Sequence, residues 1–296
     1  MAGAKVLIRA ILRFIGKHIF IPAWQPEVID VEETLKYIIE NQVSVSRYGD
    51  GEIKWAIGRR NRSFQELDKN LSRRLREVLR SDLPGHIVCV QNCFGKIVNR
   101  TNGYENFWYE HMGVYRFAWN LLMKKGKKYY STEISRCYLS YKDKRFSERD
   151  FELWKTVWRG RNILLVEGEK TRVGVGNNLL SSAQSVRRII IPAENAYRVY
   201  TRILEKVLEY YHKDDLVLIA AGPTATVLAY DLAKRGCQAI DLGHVDIEYE
   251  WYLQKASGRS LVPGKYVNEM YEYGGTVVGE CKDEQYMEEI IDVVEI

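Results

Sequence analysis

Two carboxylates set one residue apart, Asp50 and Glu52, end the segment Ser46-Arg47-Tyr48-Gly49-Asp50-Gly51-Glu52. In an extended segment residues i and i+2 face the same way, and Gly49 and Gly51 let backbone and ligand come close. Two oxygens on one face suit a hard divalent cation that keeps open positions for phosphate oxygens. Arg47 beside them offers a guanidinium that suits a diphosphate. The plainer alternative is a Gly-Asp-Gly turn with a solvated glutamate.

Three further loops collect polar chemistry. Residues 167–178 (EGEKTRVGVGNN) hold Gly168, Arg172, Gly174, Gly176 and Asn177, the ingredients of an anion cradle or of a purely structural glycine-rich connection. The dinucleotide spacing G-x-G-x-x-G is not met, because Leu179 stands where the third glycine would be, and no P-loop motif occurs. Ala221-Gly222-Pro223-Thr224-Ala225-Thr226 places small residues at a helix start, where a phosphate or ribose oxygen binds without obstruction, although the threonines also serve as helix-start hydroxyls. Asp241 to Trp251 gathers His244, Asp246, Glu248 and Glu250 just past a strand. Either Asp246 caps the helix with Glu248 and Glu250 favoured by its dipole, or one carboxylate is a general base with His244 as ligand or charge partner.

These loops need elements that bring them together. Periodicity gives strands at 43–47, 86–91, 162–168, 187–191, 215–222 and 238–243, and helices at 31–42, 71–81, 104–128, 147–159 (capped by Ser147), 194–212, 223–236 and 245–256. Pro223 at a helix start and Gly236 at its end are an orthodox pair. Consecutive β-α units of this kind build a mostly parallel sheet flanked by helices, with ligands at the carboxyl ends of the strands. The expected organisation is an α/β fold in one domain over 27–296, preceded by a helix and linker over 1–26 that Pro22 and Pro26 punctuate.

Residues 6–20 (VLIRAILRFIGKHIF) are apolar but interrupted by Arg9, Arg13 and Lys17, so neither a spanning helix nor an export signal is expected. The three cations form one stripe at i, i+4 and i+8. Such a helix either lies peripherally on an anionic membrane or docks on its own domain or on a second copy, as a homo-oligomer. Length (296 residues), 46% apolar and 28% charged content mark a globular chain with a full core. The +5 net charge is too weak to call for nucleic acid. Cys89, Cys93, Cys137, Cys237 and Cys281 are scattered and odd in number, which points to reduced thiols and a cytoplasmic location, with zinc at Cys89/Cys93 disfavoured by ligand spacing.

The ordered blocks SVSRYGDGE (44–52), VEGEKTRVGVGNN (166–178), AAGPTATVLAYDLAKRGCQAIDLGHVDIEYEW (220–251) and GKYVNE (264–269) resemble the GT-D family of glycosyltransferases. The resemblance runs from about Val31 to Asn268. It implies a Rossmann-like single domain, a nucleotide-sugar donor such as a UDP-hexose, and a manganese or magnesium ion held through a D-x-E motif that falls on Asp50 and Glu52. Arg47, Gly49, Gly51, Arg172, Gly174, Gly176, Asn177, Gly222, Pro223 and Thr224 would then line the donor, and Arg47 and Arg172 would assist the leaving diphosphate. If the reaction inverts, Glu248, then Asp246, would take the acceptor proton, with His244 beside them. The acceptor would be a glycan, glycoprotein or lipid-linked glycan. Tyr249, Trp251 and Trp108 would stack on sugars or sit in the core. The chain departs from the family at Asn177-Asn178-Leu179-Leu180, where the family shows Asn-Asp-Leu-Phe, so no acid is assigned there. The rivals are a non-catalytic nucleotide-binding scaffold and another Rossmann-like enzyme, a methyltransferase or dehydrogenase.

Overall fold

In the computed structural model, residues 2–19, 24–59 and 64–296 are described; Pro22 lies outside them. Among the described residues, eight strands form one all-parallel sheet: β1 (Ser44–Arg47), β2 (His86–Val90), β3 (Tyr130–Ser131), β4 (Asn162–Gly168), β5 (Ser185–Ile191), β6 (Leu216–Ala220), β7 (Gln238–Asp241) and β8 (Ile290–Val293). Their order is β3-β2-β1-β7-β6-β4-β5-β8. Register pairs Ser44 with His86 and Val45 with Ile240, and it pairs Leu216 with both Ile163 and Gln238. The chain leaves β1 toward β2 and β3 and comes back to its other side with β7, which opens a crevice beyond the ends of β1 and β7.

Alternating residues feed two cores. Ile163 and Leu165 of β4 face α2 (Val31–Asn41), α6 (Arg145–Val157) and α9 (Val245–Leu253), while Leu164 and Val166 face α7 (Tyr200–Tyr210) and α8 (Pro223–Ala233). Strands buried on both faces read as continuous apolar runs, which is why they are legible in sequence. A third cluster lies under α3 (Asp50–Ala56), α4 (Lys69–Arg80) and α5 (Asn102–Leu122).

Several boundaries differ from expectation. The helix of 147–159 begins at Arg145, and Ser147 is buried within it instead of capping it. The segment expected as one helix over 194–212 starts with Asn195 in the left-handed region (φ 55°), passes through a 3-10 turn (Ala196–Val199) and becomes α7 only at Tyr200. Short elements with no usable period are not legible in the sequence: α3, β3, α10 (Glu284–Glu289) and β8. Cys89 lies on β2 and Cys93 in the loop after it, and none of the five cysteines forms a disulfide.

The N-terminal helix α1 (Ala2–His18) packs on α5, the docking on its own domain that the sequence offered as one alternative. Arg9 and Arg13 both pair with Glu110 of α5 at 2.9 Å, and Arg116 donates to the Gly16 carbonyl at 2.7 Å. The backbones approach so closely that a Cβ on Gly16 would lie 1.9 Å from the Tyr109 carbonyl oxygen, and one on Gly113 would lie 2.3 Å from that of Leu12. Small residues are required at such a crossing.

Candidate active site

Three adjacent strands, β1, β7 and β6, each run directly into a helix, so α3, α9 and α8 begin side by side at the carboxyl edge of the sheet. Arg47 fixes the floor between β1 and β7. Its Nε donates to the Asp241 carbonyl (2.8 Å), Nη2 to Asp241 Oδ1 (2.9 Å) and Nη1 to Ser135 Oγ (2.6 Å). Thr226 ties the same carboxylate to the Arg47 carbonyl through its hydroxyl. The guanidinium lies against Gly243, whose φ is +55° and where a Cβ would sit 1.8 Å from Nη2. Arg47 is therefore a strut that shapes the crevice, not the diphosphate contact the sequence suggested.

The Asp50-x-Glu52 segment is helical, not extended. At i and i+2 on a helix two side chains do not share a face. Asp50 opens α3, is about a third exposed, and pairs with Lys54 at 2.5 Å. Glu52 turns back to accept the Gly49 N–H at 2.8 Å, a capping-box arrangement in which Gly49 is the N-cap and Gly51 lies inside the first turn. Burial pushes the Glu52 carboxyl up to about 7, against the hydrogen bond from Gly49. The donor set thus offers one outward carboxylate, Asp50. That fits an ion that takes one or two protein carboxylates and fills its remaining positions with water and substrate phosphate. Glu52, as oriented, does not fit as a second ligand.

The glycine-rich loop after β4 already holds anions of the protein itself. The Val173 N–H goes to Glu167 Oε2 (2.7 Å) and the Gly174 N–H to Asp246 Oδ1 (2.8 Å). Asn177 Nδ2 donates to Asp246 (2.9 Å) and Glu250 (2.7 Å), and Lys265 Nζ lies 2.7 Å from Asp246 and 2.8 Å from Glu250. Gly174 and Gly176 are required by their positive φ (+77° and +75°). Arg172, itself at φ +53°, points to the Gly264 and Gly279 carbonyls (2.9 and 2.6 Å) and pins the C-terminal segment, away from any diphosphate role. A cavity of about 390 Å³ lies between this loop and α10. Its one buried cation, Arg188, is committed to Glu167 and Glu289.

Of the three acid–base candidates, two are structural. Glu248 is buried and accepts the Tyr138 and Leu139 N–H groups at 2.9 and 2.8 Å. Asp246 does not cap α9; it is the buried anion of the loop just described. His244 is the N-cap residue and is about a third exposed, with Nε2 2.9 Å from Glu269 Oε1. Glu269 also receives Arg136 Nη2 at 2.6 Å, and the other face of that guanidinium approaches Glu248 at 3.5 Å. Burial works to raise the Glu269 carboxyl, but the His244 and Arg136 charges hold it well below the usual carboxylate range. Glu269, Arg136 and Lys265 are site residues that spacing does not single out; Lys265 and Glu269 lie in the block GKYVNE, which carries only the family resemblance.

At the start of α8, Gly222 (φ +54°) is exposed and Pro223 takes the first helical position. Phe64 packs on Gly222 so closely that a Cβ there would lie 2.2 Å from the ring. Thr224 is fully buried, and its hydroxyl has no partner among the described residues. Trp108, Tyr249 and Trp251 are core residues: Tyr249 OH donates to Asn178 and Trp251 Nε1 to the Ser260 carbonyl.

A parallel sheet with helices on both faces and a polar crevice at its switch point defines a doubly wound α/β protein. A family model described as "Glycosyltransferase GT-D fold" matches residues 45–270, and the chain belongs to this family of glycosyltransferases. It is 38% identical over 247 residues to a probable glycosyl transferase, Gly, of Streptococcus gordonii, and 37% identical over 248 residues to glycosyltransferase GlyD of Streptococcus pneumoniae serotype 4. These matches cover 83% and 82% of this chain but 36% and 30% of the relatives, so the chain spans about a third of their length. A solved structure described as the domain of unknown function 1792 with a distinct glycosyltransferase fold superposes with a TM-score of 0.84 at 34% identity, over 97% of this chain and 99% of that one. Another, a glycosyltransferase of the same domain type from Streptococcus sanguinis, gives 0.85 at 34% identity over 91% and 100% of the two chains.

Proposed function

We propose that the chain transfers a hexose from a nucleotide-sugar donor, a UDP-sugar, to a glycan, glycoprotein or lipid-linked acceptor, and that the crevice over β1, β7 and β6 is where this occurs. The observation that carries the reading is the convergence there of Asp50, the buried unpartnered Thr224 hydroxyl at the start of α8, and the His244–Glu269 pair. Asp50 would hold manganese or magnesium, which when bound supplies charge stabilisation to the departing diphosphate. The first turn of α8 presents backbone N–H groups and the dipole of an eleven-residue helix to phosphate or ribose oxygens. Gly222 makes room for Phe64 at that turn, and Thr224 Oγ would donate to a donor oxygen. His244 accepts the proton of the acceptor hydroxyl at Nδ1, while its Nε2–H donates to Glu269, which fixes the ring and stabilises the imidazolium.

Calorimetric titration of UDP into the protein, with manganese and then with chelator, tests the donor site. Binding should require the metal and be lost in Asp50→Asn. His244→Asn should retain UDP binding while turnover falls by about 10²–10⁴-fold. Absence of UDP binding under every condition would refute the donor assignment; metal-dependent binding with no transfer to any acceptor would favour a non-catalytic nucleotide-binding protein.

A further inference from the structure

The helix α1 leaves bulky apolar side chains uncovered. Gly16 is buried on α5 and Arg13 is held beside it by Glu110, whereas Leu7 and Phe14 are each 62% exposed. The outward strip continues on α5, where Val114, Phe117 and Leu121 fall at i, i+3 and i+7, and where Phe117 and Leu121 are 68% and 64% exposed. Bulky apolar side chains exposed along two packed helices mark an interaction surface. No helix among the described residues is long and apolar enough to cross a membrane.

Charge selects the occupant. From Ala2 to His18 the helix has no acidic residue, Lys5, Lys17 and His18 are exposed on it, and the turn after α5 adds the exposed Lys124, Lys125 and Lys128. A second copy meeting this face about a two-fold axis would set cation against cation. An anionic lipid surface takes apolar side chains into the headgroup boundary and attracts the flanking lysines. We propose that the α1–α5 face is a peripheral docking surface for anionic membrane, independent of the transfer reaction.

The test is co-sedimentation of the full chain with phosphatidylcholine vesicles that do or do not contain one third phosphatidylglycerol. Binding should need the anionic lipid, weaken with salt, and fall at least tenfold in Phe117→Ser/Leu121→Ser and in Leu7→Ser/Phe14→Ser. These side chains are exposed, and unchanged thermal melting confirms the fold of each variant. Failure of the full chain to sediment with anionic vesicles, or equal binding to neutral ones, would overturn the proposal. So would light scattering that shows a dimer which the same substitutions dissociate, since the face would then belong to a second copy.

Discussion

Replacing Gly243 by alanine tests the strut that sets the crevice. The substitution acts twice. At φ +55° an L side chain costs about 1 kcal/mol, and the new Cβ would lie 1.8, 2.2 and 2.6 Å from Nη2, Cζ and Nη1 of Arg47, so the guanidinium must leave. Its departure leaves Asp241, whose side chain is only 4% exposed, without its charge partner; losing one partner of such a buried pair costs about 3 kcal/mol. Gly243→Ala should therefore destabilise by about 4 kcal/mol, well beyond the usual range for a single substitution. Arg47→Ala alone should cost about 3 kcal/mol by the same loss. With Arg47 already removed, Gly243→Ala retains only the backbone cost of about 1 kcal/mol. Urea unfolding of the two single variants and the double variant then gives a coupling of about 3 kcal/mol, with the double variant close to Gly243→Ala alone. Additive single effects would show that Arg47 is not what Gly243 accommodates, and the account of the crevice floor would fail.

Two other outcomes follow from the packing. Glu269 is held well below its ordinary value of 4.5, so the folded state keeps it charged where the unfolded chain would protonate it; the stability this contributes is present above about pH 4.5 and is lost as pH falls through the folded value. Urea midpoints measured from pH 7 to 3 should show Glu269→Gln less stable near neutrality, with the gap closing in acid, and a constant gap would contradict the assignment. Gly16→Val drives a side chain into the Tyr109 carbonyl, so α1 should lose hydrogen-exchange protection while the melting temperature of the rest moves by no more than a few degrees, because α1 packs chiefly on α5.

The sequence by itself determined the layered α/β class and the placement of polar chemistry after β1, β4, β6 and β7, because strands buried on both faces and a helix opened by Pro223 and followed by a Gly236 turn are written in local pattern. It also marked Asp50, His244 and Gly222 as residues of one edge of the sheet. What local pattern does not contain is the partner of each charge. Arg47 finds Asp241, Glu248 finds two backbone N–H groups of the Tyr138 turn, Asp246 fills the glycine-rich loop, and Arg172 holds Gly264 and Gly279, all through contacts more than 70 residues apart in the chain. A carboxylate placed for catalysis by its spacing in sequence becomes structural once tertiary folding encloses it, since a buried charge must be paired or hydrogen-bonded. The same holds for α1: its period predicted an amphipathic helix, but only its seat on α5 decided that Gly16 and Arg13 meet α5 while Leu7 and Phe14 stay exposed.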